Sequence, residues 1–246
     1  MDQFIYIAAA GARETMMAQA LNSHNLANTA TPGFRADLAA ARSAYLSGSG
    51  VTSRAYANYQ GQGIDGRPGV INATGRDLDV AVNGVGWMVV QTGDGEEVLS
   101  RRGDLRIDAY GQLINGAGQQ MVGKSGPVAL PAYQELNIGT DGTISIVPLG
   151  EDPNTLIEVD RLKLVNPDES LLLKGRDGLV RIQGGEPAVA DAAVRLIPGS
   201  LESSNVNAVE SMVRMIELAR QFETHVKMIR TAEQLDQSSA ELMRLS

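Results

Sequence analysis

Apolar and polar positions divide the chain into a helical rhythm at each end and short alternating runs between them. From Phe4 to Asn28 there is no proline, and Ile5, Ala8, Ala9, Ala12, Met16, Ala20 and Ala27 recur at three- and four-residue steps. That spacing gathers side chains on one face of a helix. The far end repeats it more strongly through Val209, Met212, Ile216, Ala219, Phe222, Val226, Ile229, Leu235, Ser239 and Leu242. Glu210 with Arg214 and Glu223 with Lys227 add opposite charges at the i,i+4 spacing of a solvated helix face. Asn207 is a good N-cap, and Glu210 three residues on can reach back to its amide, so a helix is predicted from about Ala208 to Leu245. Isolated helices gain most of their stability from tertiary burial. These two therefore pack on each other or on neighbouring subunits.

The first helix is expected to stop near Thr31-Pro32-Gly33, because a residue before proline is pushed out of the helical region and Gly33 tolerates positive φ. Phe34 then offers an apolar anchor. Arg35 to Tyr45, with three consecutive alanines, reads as a further short helix, and Ser47 to Gly69, rich in glycine and without periodicity, as an extended linker or arm. From Val70 onward the pattern is β. Leu78 to Val82 and Gly84 to Val90 read as short strands, and Arg161 to Val165 as the cleanest alternating one, ending before Pro167. Tyr110-Gly111, Asp141-Gly142 and Asp177-Gly178 carry hairpin punctuation. The predicted fold is α+β: long terminal helices packed as a coiled-coil-like domain, with an inserted antiparallel β-rich domain. Its expected divisions are 1–34, 35–69, 70–204 and 205–246.

Charge and composition narrow the chemistry. The 246 residues carry a net charge of −8, which falls on the middle of the chain and leaves both helical ends near neutral. A basic track able to neutralise phosphates is missing, so nucleic acid is not an expected partner. There is no cysteine, hence no disulfide and no thiolate zinc site. The first residues lack the features of a signal peptide, and no apolar stretch is long enough to span a bilayer. Direct membrane insertion is not expected.

One motif resembles an enzyme's. Gly118, Gly123, Lys124 and Ser125 satisfy the spacing of a phosphate-cradling loop, but the mechanism needs a helix N-terminus directly after the lysine. Pro127 and Pro131 oppose that helix, so a β-turn is the preferred reading and nucleotide binding the alternative. His24 and His225, the two histidines, read as polar groups of a helix interface. Asp77/Asp79 and Asp94/Glu96/Glu97 read as solvated turn acids, because calcium-loop spacing is missing. Trp87 reads as core, and Arg102-Gly103-Asp104 carries no assigned role. No catalytic, cofactor-binding or metal-ligating residue is assigned. Asn22, Asn25 and Asn28 stand out: three amides line roughly one helical face at a cost in local stability. They are expected to pair with polar groups on another helix, as buried Asn does when it fixes register.

These residues carry a resemblance. Asn22-Ser-His-Asn-Leu-Ala-Asn28-Thr-Ala-Thr-Pro-Gly-Phe34-Arg35 closely resembles the N-terminal signature of flagellar rod and hook proteins, and Leu201-Glu-Ser-Ser-Asn205-Val-Asn207-Ala-Val-Glu-Ser-Met-Val213 their C-terminal one. Leu78 to Trp87 and Arg101 to Leu113 are similar to the family's β domain. The length exceeds that of family members without a middle domain and falls short of the hook protein. Met212 to Glu223 is most similar to the proximal-rod branch, with the distal-rod branch as the neighbouring alternative.

The resemblance implies a structural, non-enzymatic subunit of the bacterial flagellar basal body that needs no cofactor. It further implies export by the flagellar type III apparatus without a cleaved signal peptide. Helical assembly in the periplasm with itself and other rod proteins would then transmit torque and enclose an export channel. On this reading the N-terminal interface comprises Ile5, Ala9, Ala12, Met16, Asn22, Asn25, Asn28 and Phe34. The C-terminal one comprises Asn205, Asn207, Val209, Met212, Ile216, Ala219, Phe222, Val226, Ile229, Leu235 and Leu242.

Overall fold

A computed structural model of the chain describes residues 2–45, 55–152, 155–175, 177–185 and 187–244. They form two compact units, one from Met1–Ala27, Asp37–Gly63 and Asn207–Ser246, the other from Asn28–Ala36 and Ile64–Val206. The backbone therefore passes from one unit to the other four times.

The first unit holds helix α1 (Asp2–Ala27), strands β1 (Asp37–Tyr45) and β2 (Ala55–Ile64), which pair with each other, and the C-terminal helix (Ala208–Arg244). That last helix, α2, starts where its cap predicts: the Asn207 side chain accepts from the backbone N–H groups of Val209 (3.0 Å) and Glu210 (3.3 Å). The two helices run antiparallel, since Gly11 meets the His225 ring and Asn22 meets Ser211.

Their seam corrects the expected coiled-coil-like packing. A coiled coil seats Leu- or Ile-sized knobs in holes on the facing helix. Here the buried positions are small or polar, namely Ala8, Ala12, Thr15 and Asn22 on α1 with Ser211 and Ala232 on α2, while Met16, Val209, Met212, Ile216 and Leu235 face outward. The architecture is two terminal helices and a large antiparallel β-rich domain. The short helix expected from Arg35 is also absent: Asp37–Tyr45 is β1. Its alanines favour helix, but intrinsic propensity is a weak determinant that strand pairing overrides. The supposed arm contains β2, and residues 46–54 lie outside the described ones.

The second unit begins with β3 (Ile71–Ala73), β4 (Val80–Asn83), β5 (Trp87–Gln91) and β6 (Glu97–Ser100). It continues through β7 (Arg106–Ile107), β8 (Leu113–Ile114), β9 (Gln120–Gly123) and β10 (Gly126–Pro127). Next come β11 (Tyr133–Ile138), β12 (Thr143–Pro148), β13 (Ile157–Arg161) and β14 (Leu164–Val165). β15 (Leu172–Lys174), β16 (Val180–Ile182), β17 (Arg195–Pro198) and β18 (Ser200–Glu202) complete it. The main sheet runs β15-β16-β6-β5-β9-β8-β7, with β10 on β9 and β14 on β5; a second sheet is β11-β12-β13, and β17 pairs with β4 and β18 with β3.

Strand β5 shows why the core forms. Its side chains alternate between faces, so Met88 and Val90 enter a cluster with Leu105, Met121 and Ile144, while Trp87 and Val89 enter another with Leu99, Val122 and Val180. Both faces of β5 are buried, and Trp87 is core as read from the sequence. At the Asp141-Gly142 hairpin, Gly142 takes φ +87° and Asp141 accepts from the Thr143 amide and hydroxyl at 3.1 and 2.9 Å. The run Arg161 to Val165 is not one strand: it divides into the end of β13 and β14, because Arg161 pairs with Thr143 while Leu164 pairs with Met88 in the other sheet.

Candidate assembly surface

The helical unit presents large apolar side chains that its own seam cannot bury. On α2, Val209, Met212, Val213 and Ile216 recur at helical spacing, with Val209 71% and Ile216 57% exposed. On α1, Tyr6, Ile7, Met16 and Met17 are exposed likewise, Met16 at 57%. Of the other residues expected at the interface, Ile5, Ala219, Phe222, Val226 and Ile229 are half-buried, Ala9 and Asn207 are exposed, and Ala12 is buried in the seam. Nothing is described of the Leu242 side chain.

Small residues make that seam close. Gly11 faces His225, and a β-carbon added there would stand 2.4 Å from the imidazole. Asn22 donates to the Ser211 carbonyl at 2.7 Å, a buried bond across the seam. Asn25 grips β1 instead: it accepts from the Asp37 amide at 2.8 Å and donates to the Asp37 carbonyl at 3.0 Å. His24 Nδ1 lies 2.6 Å from the Asp37 carboxylate. Asn28, in the other unit, accepts from the Thr31 hydroxyl at 3.1 Å and caps a tight turn.

The β unit contains a second built feature that sequence reasoning named only in part. Asn205 accepts from the Ala36 amide (2.8 Å) and donates to the carbonyls of Asp65 (3.1 Å) and Arg67 (2.9 Å). One amide thus ties together three of the segments by which this unit leads into the helical one. Glu202 works beside it. Its carboxylate is 2.7 Å from Arg35 and 3.0 Å from Arg101, and also accepts from the Gly69 amide at 2.9 Å.

The Glu202 carbonyl accepts from Gly33, whose φ is +66° and whose β-carbon, were there one, would strike the Arg101 carbonyl at 2.2 Å. Lys174 donates to the Arg35 carbonyl at 2.8 Å, its ammonium 3.9 Å from the centre of the Phe34 ring. Burial, and next the neighbouring Arg101, hold the Arg35 pKa below the usual arginine value. Arg35 and Glu202 stood inside the two terminal signatures, but only the fold brings them together with Arg101 and Lys174.

The other candidate chemistries find structural partners. Asp79 pairs with Arg76, Glu96 with Arg181 and Glu97 with Lys163, and Arg102 and Asp104 bond each other. Among the described residues no His/Cys/Asp/Glu cluster could hold a metal, and no helix is long and apolar enough to cross a membrane. Lys124 and Ser125 form the turn between β9 and β10, and a strand rather than a helix follows them. The adjoining cavity, about 410 Å³, has Lys163 and Arg161 on its walls, already engaged by Glu97 at 2.7 Å and Asp141 at 3.2 Å.

The comparisons with known proteins show the family. Residues 81–146 match the family model described as "Flagellar hook protein FlgE/F/G D1 domain", and residues 197–242 that of "Flagellar basal body rod FlgEFG protein C-terminal". The flagellar basal-body rod protein FlgF of Salmonella typhimurium is 38% identical over the full length of both chains. The chain belongs to the flagellar basal-body rod protein family. The FlgF of Escherichia coli is 39% identical, again over both whole chains. The rod protein FlgG of Buchnera aphidicola is 30% identical over 89% of this chain and 92% of its own. In this chain the N-terminal signature covers the end of α1 and the turn to Phe34, and the C-terminal one the end of β18, Asn205 and the start of α2.

Proposed function

We propose that this chain is a structural subunit of the proximal flagellar rod, assembled through the outward apolar faces of α1 and α2. The observation that carries the reading is the Val209, Met212, Ile216 stripe with Met16 and Met17 on the other helix, all solvent-exposed in the single chain. Contiguous exposed apolar surface marks an interaction site, and a head-to-tail contact that does not close into a ring builds a shaft. Neighbouring copies and other rod proteins are the partners, and the shaft encloses the export channel and carries torque. The chain reaches the periplasm through the flagellar type III apparatus, without a cleaved signal peptide. Its role is mechanical, with no catalysis and no nucleic acid involved. The full-length match to FlgF proteins supports the proximal position over the distal one.

The test replaces Met212 and Ile216 together by glutamate. Charges on that face are expected to abolish rod assembly and motility while the β unit melts at the parent temperature. Normal motility in the double variant overturns the proposal.

A further inference from the structure

Inside the β unit, a cavity of about 150 Å³ lies between Arg35 and Arg101, beside Trp87, Pro68, Pro167 and Leu172. The assembly reading gives it no role. Arg35 and Arg101 are only 3% and 5% exposed, and their Nε atoms are buried without a hydrogen-bond partner. Buried polar groups left unpaired call for a physical reason, an ion or water among them. Charge sharpens the point. The buried guanidinium groups of Arg35 and Arg101 share one carboxylate between them, that of Glu202. Asp65 is held by Arg67, and Glu169 at the cavity edge is exposed to solvent. A buried charge without full compensation is costly, and the volume is several times the roughly 30 Å³ share of one water molecule.

We propose that this cavity binds a small carboxylate anion, balancing the excess positive charge of the Arg35–Glu202–Arg101 cluster. A guanidinium matches a planar carboxylate better than a spherical ion, and the apolar walls suit the short hydrocarbon part of such an acid. The inference stands independently of how the helices assemble.

Trp87 is the chain's single tryptophan, and the Arg101 guanidinium lies 5.5 Å from its ring centre. Occupancy is therefore readable in the intact protein. Formate and acetate are titrated against chloride at fixed pH, with ionic strength balanced by a large sulfonate, while Trp87 fluorescence and the melting temperature are followed. A saturable change is expected, with half-saturation by acetate about tenfold below that of chloride. Val85, at the cavity edge and 65% exposed, gives a variant that spares the fold. Val85→Glu brings a competing carboxylate and should weaken acetate about tenfold, whereas Val85→Gln should bind like the parent.

No saturable response to formate or acetate overturns the proposal, and so does an equal response to chloride. Unchanged acetate binding in Val85→Glu overturns the location. A dilution series without acetate separates the sources. A concentration-dependent Trp87 signal that acetate competes away assigns the carboxylate to a second copy of the chain, and an invariant signal assigns it to a free acid.

Discussion

At the scale of single residues, asparagines carry the connections. The spacing of Asn22, Asn25 and Asn28 was legible as unusual, because amides on a helix face offer donors and acceptors a helix interior does not need. Their partners were not legible. Asn22 finds α2, but Asn25 finds the backbone of Asp37 and Asn28 accepts from Thr31 in the turn that follows α1, and helical spacing cannot distinguish those fates. Asn205 lay in a recognisable signature, yet its bonds join segments more than a hundred residues apart. Asn205→Ala removes the acceptor of the Ala36 amide and one donor each from the Asp65 and Arg67 carbonyls, and should destabilise the β unit by about 1–3 kcal/mol, read as a fall in its urea midpoint.

Carboxylates give a pH test at the same scale. The Arg181 side-chain bond holds the Asp177 pKa below the usual carboxylate value, and the Arg67 bond does the same for Asp65. The folded state then binds fewer protons than the unfolded one. Their contribution is present above about pH 4, the ordinary carboxylate range, and is lost as pH falls through the lower folded values. Urea midpoints measured from neutral pH downward should drop less on the acid side in Asp177→Asn than in the parent.

Elements were legible to the extent that their own periodicity decided them. Both long helices, the Asn207 cap and the Asp141-Gly142 hairpin follow from local patterns, since each is specified within a few residues. Two readings failed where a distant partner decides. Asp37–Tyr45 is helix-compatible by composition, but the pairing of β1 with β2 outweighs that preference. The two helices were expected to pack in a coiled-coil-like way, yet their seam closes on Ala8, Gly11, Ala12 and Ala232, because small side chains permit the closer approach. Gly11→Ala tests this. The substitution gains about 0.5–1 kcal/mol of helix preference, but forcing a methyl against the His225 ring costs about 1–3 kcal/mol. Net loss of helical stability in a circular dichroism melt is expected, with His225→Ala relieving it in the double variant.

At the scale of the whole molecule, the seam and the stripe divide the work of the helices. Small residues join α1 to α2, and large apolar ones such as Val209, Met212 and Ile216 stay exposed, the face proposed to meet neighbours. That division explains why the full apolar rhythm of the sequence exceeds what one chain can bury. It also accounts for a rod-family chain whose signatures sit at its two ends: they build one helical unit and the anchors that lead into it.

The most direct test of the account is the accessibility of position 216. The chain has no cysteine, so Ile216→Cys provides a single thiol on the exposed stripe. Maleimide labelling should be complete in the free chain, blocked in purified basal bodies and restored when those are denatured. Equal labelling of the free and assembled protein would contradict the claim that neighbouring subunits cover this face.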